Sequence, residues 1–243
     1  MAVIYVVGIG PGGAETITPQ AMGVLRYCDV IAGYSKYIDM VRDIVPGKIL
    51  YSSGMTQEID RCSMAMKFAK DYDKNVALIS SGDAGVYGMA GLMLEVASGS
   101  GIDVRIIPGV TAANSCSAIL GAPLMNDYAT ISLSDRMTEW RIIERRLTAA
   151  CIGDFVICLY NPASLHRPDN LKKACDIVLT WREPDTPAGY VRNAGRYGQT
   201  HEIMTLTKLR SCRNIDMLCT VIIGNSQTYI LDGKIITPRG YKL

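Results

Sequence analysis

Histidine is nearly missing from this chain. Its 243 residues hold 2, His166 and His201, too few for a three-histidine metal centre. Cysteine is present, 8 residues, but no two are spaced as CxxC, which removes zinc-ribbon and thioredoxin-like redox chemistry. Net charge is small as well. Lys+Arg 25 stand against Asp+Glu 23, a formal net charge of +2, which gives no electrostatic reason for a nucleic acid or an anionic membrane as partner. No apolar run approaches the roughly 18 residues of a membrane helix. The N-terminus lacks the basic region and cleavage site of a signal peptide. The expectation is a cytoplasmic enzyme or binding protein with reduced cysteines. The thiols in apolar stretches (Cys116, Cys158, Cys219) would serve as small hydrophobes.

What is there suits a folded protein. The apolar fraction is 49% and the charged fraction 20%, too apolar for disorder. A chain of this length can bury roughly 70–75% of its unfolded surface. Charge is divided unevenly: residues 1–127 hold 9 Lys+Arg against 12 Asp+Glu, and residues 128–243 hold 16 against 11. The second part therefore leans towards anionic ligands, although ordinary surface scatter produces the same split.

Strand-like and helical runs alternate through the first half. Val3–Val7, Val30–Ile31, Lys48–Tyr51, Val76–Ile79 and Val104–Ile107 read as strands. Between them, Thr18-Pro19 is a helix start with Thr as N-cap and Pro at the first helical position. Ile38, Val41 and Val45 repeat at helical spacing, as do Ile59, Cys62, Met66 and Ala69. Met89–Ala97 and Thr111 to Leu120 complete the helices. This alternation predicts a parallel sheet covered by helices on both faces. In the second half, strands are expected at Ala129–Leu133, Phe155–Tyr160, Ala188–Val191, Leu218–Ile223 and Lys234–Thr237, with helices around Trp140–Leu147 and Leu171–Trp181. Pro, Asn and Asp cluster at Pro123–Tyr128, so two α/β domains are expected, 1–126 and 127–243.

Four glycine-bearing turns follow the strands of the first half: Gly8 to Gly13, Gly33 to Lys36, Ser80 to Gly85 and Pro108 to Ala113. They fall at carboxyl ends, the edge where open parallel sheets bind ligands. Glycine there permits positive φ and close backbone approach. Gly8, Gly10 and Gly13 match GxGxxG, but Pro11-Gly12-Gly13 is a poor first helical turn, and Val30–Tyr34 offers no acid for a ribose hydroxyl. Both departures argue against a nicotinamide dinucleotide. Asp83 could accept bonds from ligand hydroxyls or an amine, or bond its own turn.

The combination Val7-Gly8-Ile9-Gly10-Pro11-Gly12, Ser81-Gly82-Asp83-Ala84-Gly85-Val86-Tyr87-Gly88 and Pro108-Gly109-Val110-Thr111-Ala112-Ala113 resembles the tetrapyrrole (class III) methyltransferases, which use S-adenosylmethionine (SAM). The likeness runs through nearly the whole chain. The segments Ile131–Asp135, Leu159–Pro162, Gly189–Arg196, Thr220–Ser226 and Ile236–Tyr241 are similar to the branch that methylates C17 of a corrin precursor, precorrin-3B or cobalt-factor III, with ring contraction. Ala84 departs from the pattern, since many relatives have proline there. The resemblance implies two αβα domains with a SAM-binding cleft between them, and a homodimer. It places Pro11, Gly82, Asp83, Val86, Thr111 and Ala112 around SAM, with Asn161, Gly195, Thr220 and Val221 approaching from the second domain.

A methyl group on a sulfonium is already activated, so positioning and water exclusion can carry the transfer. That agrees with a chain offering no Ser-His-Asp array and no metal cluster. Ring contraction needs a proton moved near the C20 oxygen, for which Ser134 and Asp135 are candidates. Asp135 reads equally well as a helix cap or loop acid. Arg192, Asn193 and Arg196 are candidate contacts for an anionic tetrapyrrole, because arginine forks suit carboxylates. Arg141, Arg145 and Arg146 read as a solvated helix face, and His166 and His201 as loop residues. Alternatives are a sister enzyme acting at another corrin carbon or on a diphthamide precursor, and a non-catalytic tetrapyrrole carrier or adenosine sensor.

Overall fold

Strand β1 (Val3–Gly8) shows why the first strands read as continuous apolar runs. Ile4 and Val6 enter one core with Cys62, Ala65 and Met93, while Tyr5 and Val7 enter another with Leu25, Ile38 and Val41. Both faces of the sheet are covered, so neither set of alternate residues can be polar. The same alternation holds in β2 (Val30–Tyr34) and β4 (Val76–Ser80). With β3 (Ile49–Ser53) and β5 (Asp103–Ile107) they form a wholly parallel sheet of order β3-β2-β4-β1-β5. Helices α1 (Pro19–Tyr27) and α2 (Ser35–Val41) cover one face; α3 (Glu58–Tyr72) and α4 (Ala90–Ala97) cover the other. Thr18 caps α1 as expected, its hydroxyl accepting from the Ala21 N–H at 3.1 Å.

The computed structural model describes residues 2–241 and divides into two units, Met1–Ala112 and Ala113–Leu243. The division falls ahead of the 126/127 boundary expected from sequence. Helix α5 (Ala112–Leu120) is the cause: Ala113, Cys116 and Leu120 pack with Val156, Cys158, Val191 and Ile222 of the second unit.

The second sheet is mixed. It contains β7 (Tyr128–Ser132), β8 (Val156–Tyr160), β9 (Pro187–Arg192), β10 (Thr200–Thr205) and β11 (Cys219–Ile223), ordered β10-β9-β11-β8-β7. Helices α6 (Trp140–Ile152), α7 (Asn170–Val178) and α8 (Leu206–Ser211) pack on one face. The other face takes α5 and Ile235. A small third sheet joins β6 (Gly121–Ala122), β12 (Tyr229–Leu231) and β13 (Lys234–Ile236). Strand β10 was not expected from sequence; its Thr200, His201 and Glu202 are exposed, so the edge strand carries almost no apolar signal. His201 lies in that strand rather than in a loop, while His166 is in a loop as expected. Helix α8, also unexpected, has six residues, too few to show a helical period. Arg141, Arg145 and Arg146 do line an exposed face of α6.

All eight cysteines are free thiols, and seven are buried. Burial pushes Cys28, Cys116 and Cys175 up to about 12, so these thiols stay protonated and inert. Among the described residues no helix is long and apolar enough to cross a membrane.

Candidate functional site

In the first unit the turns after β1, β4 and β5 are joined by backbone atoms. The Ile9 N–H donates to Ser80 O at 2.9 Å, Gly10 N–H to Gly82 O at 3.0 Å, and Gly82 N–H to Gly10 O at 2.7 Å. Gly10 and Gly82 have φ of +74° and +68°, a region that glycine enters without strain. A Cβ on Gly109 would stand 2.2 Å from Gly82 O and 2.7 Å from Gly8 O. Asp83 completes the joint: one carboxylate oxygen accepts the Gly85 N–H at 2.8 Å and the other the Gly109 N–H at 2.9 Å. Its visible task is therefore to tie the second turn to the third. Each oxygen keeps a further lone pair for a ligand donor.

A Cβ on Gly82 would meet nothing closer than 3.7 Å, with Ala112 N, Thr111 Cα and Val110 O as its nearest neighbours. That leaves a notch of about one methyl group beside Gly82, with backbone as its wall. Pro11 is buried, Thr111 and Ala112 are half-buried, and Val86 and Tyr87 are exposed. The Tyr87 backbone has φ +54°, uncommon for a side chain of this size.

In the second unit β7 and β8 run parallel, and β9 runs with them because both β8 and β9 are antiparallel to β11. Their carboxyl ends share an edge that carries most of the remaining predicted residues. Asn161, at φ +51°, donates to the Ser132 hydroxyl at 3.0 Å, and Ser132 also accepts the Ser134 N–H at 3.2 Å. Arg167 donates to the Ser134 hydroxyl and lies 3.8 Å from Asp135. Asp135 is a loop acid and caps no helix; α6 begins five residues later, with Glu139 at its N-cap. Arg192 is paired with Asp216 at 2.8 Å, while its Nε is buried without a partner. Asn193, at φ +53°, and Gly195, at φ +68°, form the turn into β10, where Arg196 N–H donates to Asn193 O at 2.9 Å.

The side chains of Thr220 and Val221 have other tasks. Val221 is fully buried among α6, α7 and α8. Thr220 is buried and hydrogen-bonded to the Cys116 thiol. Sequence reasoning missed Arg167, Ser132 and Asp216, the partners of Ser134, Asn161 and Arg192. None belongs to a glycine turn, and only folding brings them together. Among the described residues no group of three or more His, Cys, Asp or Glu is placed to hold a metal ion.

Comparison with known proteins agrees with this architecture. The family model for Tetrapyrrole (Corrin/Porphyrin) Methylases matches residues 3–210. A probable cobalt-factor III C(17)-methyltransferase of Salmonella typhimurium is 45% identical over 242 residues, covering 99% of this chain and 100% of that protein. The cobalt-factor III methyltransferase of Priestia megaterium is 44% identical over 98% of this chain, which spans only 45% of that longer protein. The crystal structure of the methyltransferase CobJ superposes with a TM-score of 0.89 at 31% identity, covering 98% of this chain and 100% of that one. A uroporphyrin-III C-methyl transferase from Thermus thermophilus, complexed with S-adenyl homocysteine, has the same fold with a TM-score of 0.72 at 20% identity over 92% of this chain and 97% of that one. By its matched residues and its full-length relative, this chain belongs to the tetrapyrrole (corrin/porphyrin) methylases.

Proposed function

We propose that this protein transfers a methyl group from SAM to C17 of a ring-contracting corrin precursor, cobalt-factor III or precorrin-3B. The observation that carries this reading is the 45% identity to the Salmonella C(17)-methyltransferase over the whole length of both chains. When bound, SAM supplies a methyl already activated on a sulfonium. The protein has then to bind, orient and keep out water.

The first unit fits that ligand. The notch beside Gly82, with Val110, Thr111 and Ala112 as its walls, is the proposed point of approach for the polar end of SAM. Asp83 holds the turns that form it; Pro11, which follows Gly10 in the first of these turns, and Val86, four residues after Gly82, are further proposed contacts. For the tetrapyrrole, Arg192, Asn193 and Arg196 are the proposed contacts. A substrate carboxylate would compete with Asp216 for Arg192, whose unpartnered Nε leaves the resting pair incompletely satisfied. Ser134 and Asp135 are the proposed proton-handling pair at the C20 oxygen, with Arg167 holding both in place. Asn161 and Gly195 would support this edge through their left-handed backbone. A homodimer belongs to the same reading, and sedimentation tests it.

The direct test is thermal unfolding with S-adenosylhomocysteine and, in parallel, with NADH. A ligand at about 100 times its Kd adds about 2.7 kcal/mol, which raises Tm by roughly 5–10 °C in a chain of this size. A rise with S-adenosylhomocysteine alone, followed by methyl transfer to cobalt-factor III or precorrin-3B, is the expected result. A rise with NADH alone would overturn the reading. Asp83→Ala supplies a finer check. It leaves the part-buried Gly109 N–H without its partner and hands the exposed Gly85 N–H to water, at a cost of about 1 kcal/mol. S-adenosylhomocysteine affinity should fall about tenfold, measured by calorimetry, because loosened turns no longer form the notch.

A further inference from the structure

The second unit contains a groove of about 840 Å³ whose cations none of the assignments above uses. It lies between the connection from β8 to α7 and the connection from α8 to β11. Leu171 and Ile215, both buried, line it with apolar surface. Lys172, Arg210 and Arg213 supply positive charge, and Asp169 and Asp216 negative. Internal pairing settles part of that charge. Arg210 bonds Asp176, and Asp216 bonds Arg192. Lys172 and Arg213 are exposed and pair with no described residue, leaving two free cations against the single carboxylate of Asp169.

The groove is also continuous with the edge proposed to meet the macrocycle. Ser164 on its wall accepts from Arg167 Nε at 3.2 Å, and Arg167 reaches Ser134 and Asp135. Asp216 on the opposite wall holds Arg192 at 2.8 Å. Both walls are thus bonded to residues of the carboxyl edge.

Apolar surface beside unpaired cations suits an aliphatic stem ending in a carboxylate. The stem covers the lining, and the carboxylate meets the ammonium or guanidinium. We propose that this groove is a carboxylate subsite for peripheral acid side chains of the tetrapyrrole substrate, with Lys172 and Arg213 as its cations. The proposal rests on the C17-methyltransferase reading and adds a location to it.

The test is a spectroscopic titration with a tetrapyrrole octacarboxylate and with the same ring carrying amides in place of carboxylates. S-adenosylhomocysteine binding is measured alongside. The K172Q/R213Q double variant should raise the Kd of the octacarboxylate about tenfold, the sum of two solvent-accessible charge contacts. Its Kd for the amide ring and for S-adenosylhomocysteine should stay at the wild-type value. Arg213→Lys, which keeps the charge, should retain most of the binding, and both side chains are exposed, so folding is preserved. An unchanged octacarboxylate Kd overturns the subsite while leaving the activity reading in place. So does an equal loss for both rings. Wild-type protein that binds S-adenosylhomocysteine but neither ring overturns the activity reading, and the subsite with it.

Discussion

Gly109→Ala is expected to abolish S-adenosylhomocysteine binding and to destabilise the first unit by more than about 3 kcal/mol, beyond the usual range for overpacking. The added methyl would stand 2.2 Å from Gly82 O, 2.7 Å from Gly8 C and 2.7 Å from Gly8 O. All three are backbone atoms, so no side chain can turn aside. Nor can the backbone retreat. Val7 is paired with Ile107 on one side of β1, Gly8 with Ser80 on the other, and Gly10 with Gly82 just beyond. Relief requires opening the edge that forms the notch. The expected loss in Tm is at least roughly 6 °C, and calorimetry should detect no ligand heat. Gly23→Ala is the matched control. Gly23 lies inside α1 with nothing within 4 Å of its added Cβ. Replacing a helix-interior glycine there should stabilise by about 0.5–1 kcal/mol. Equal behaviour of the two variants would refute the claim that close approach of three turns, rather than glycine content, builds the site.

The contrast between these glycines explains what the sequence made legible. Glycine after a strand announces a tight turn because no other residue supplies φ near +70° cheaply. Gly10, Gly82 and their parallel strands were therefore readable from the chain. Helix α1 was readable from its Thr18-Pro19 cap, and α3 and α6 from their apolar spacing, for the same kind of local reason. Partnerships across the fold were not. Asp83 stood in a motif, but its two N–H donors lie two and twenty-six residues away. Arg167 looks like any loop arginine until β7 and β8 bring Ser134 beside it. Helix α5 groups with the second unit because Ala113, Cys116 and Leu120 pack against Val156, Cys158, Val191 and Ile222, contacts that no local pattern announces. Thr220 and Val221 carry the family's motif, but their alternation in a buried strand turns one to the Cys116 thiol and the other to the helical core.

A second large effect lies away from the site, at the one described arginine of the second unit whose charged side chain is almost fully enclosed. Arg182 has 3% of its side chain exposed; it pairs with Asp154 at 2.6 Å and donates to Phe155 O at 2.8 Å, while its Nε has no partner. Asp154 also accepts the Ser226 N–H at 3.0 Å and the Ser226 hydroxyl at 2.6 Å. Burial pushes its carboxyl upward, but the Ser226 bonds and the Arg182 guanidinium outweigh this and hold it below the usual carboxylate range. Asp154→Asn keeps the side chain's shape and tolerates its φ of +53°, yet removes the charge opposite Arg182. The cost should be about 3 kcal/mol, the low end for a broken buried pair, since Asp154 itself is 43% exposed and partly screened. Tm should fall by roughly 6–12 °C. Arg182→Met should cost much less, because Asp154 would keep both Ser226 bonds and its access to water. The pH dependence separates the two explanations. A carboxyl with a lowered folded pKa stabilises fully above its unfolded pKa, about 3.9, and loses that contribution as pH falls through the folded value. The gap between wild type and Asp154→Asn should therefore be constant near neutrality and close below about pH 4. A gap that persists there would mean the lost shape of the loop, not the lost charge, destabilises the variant.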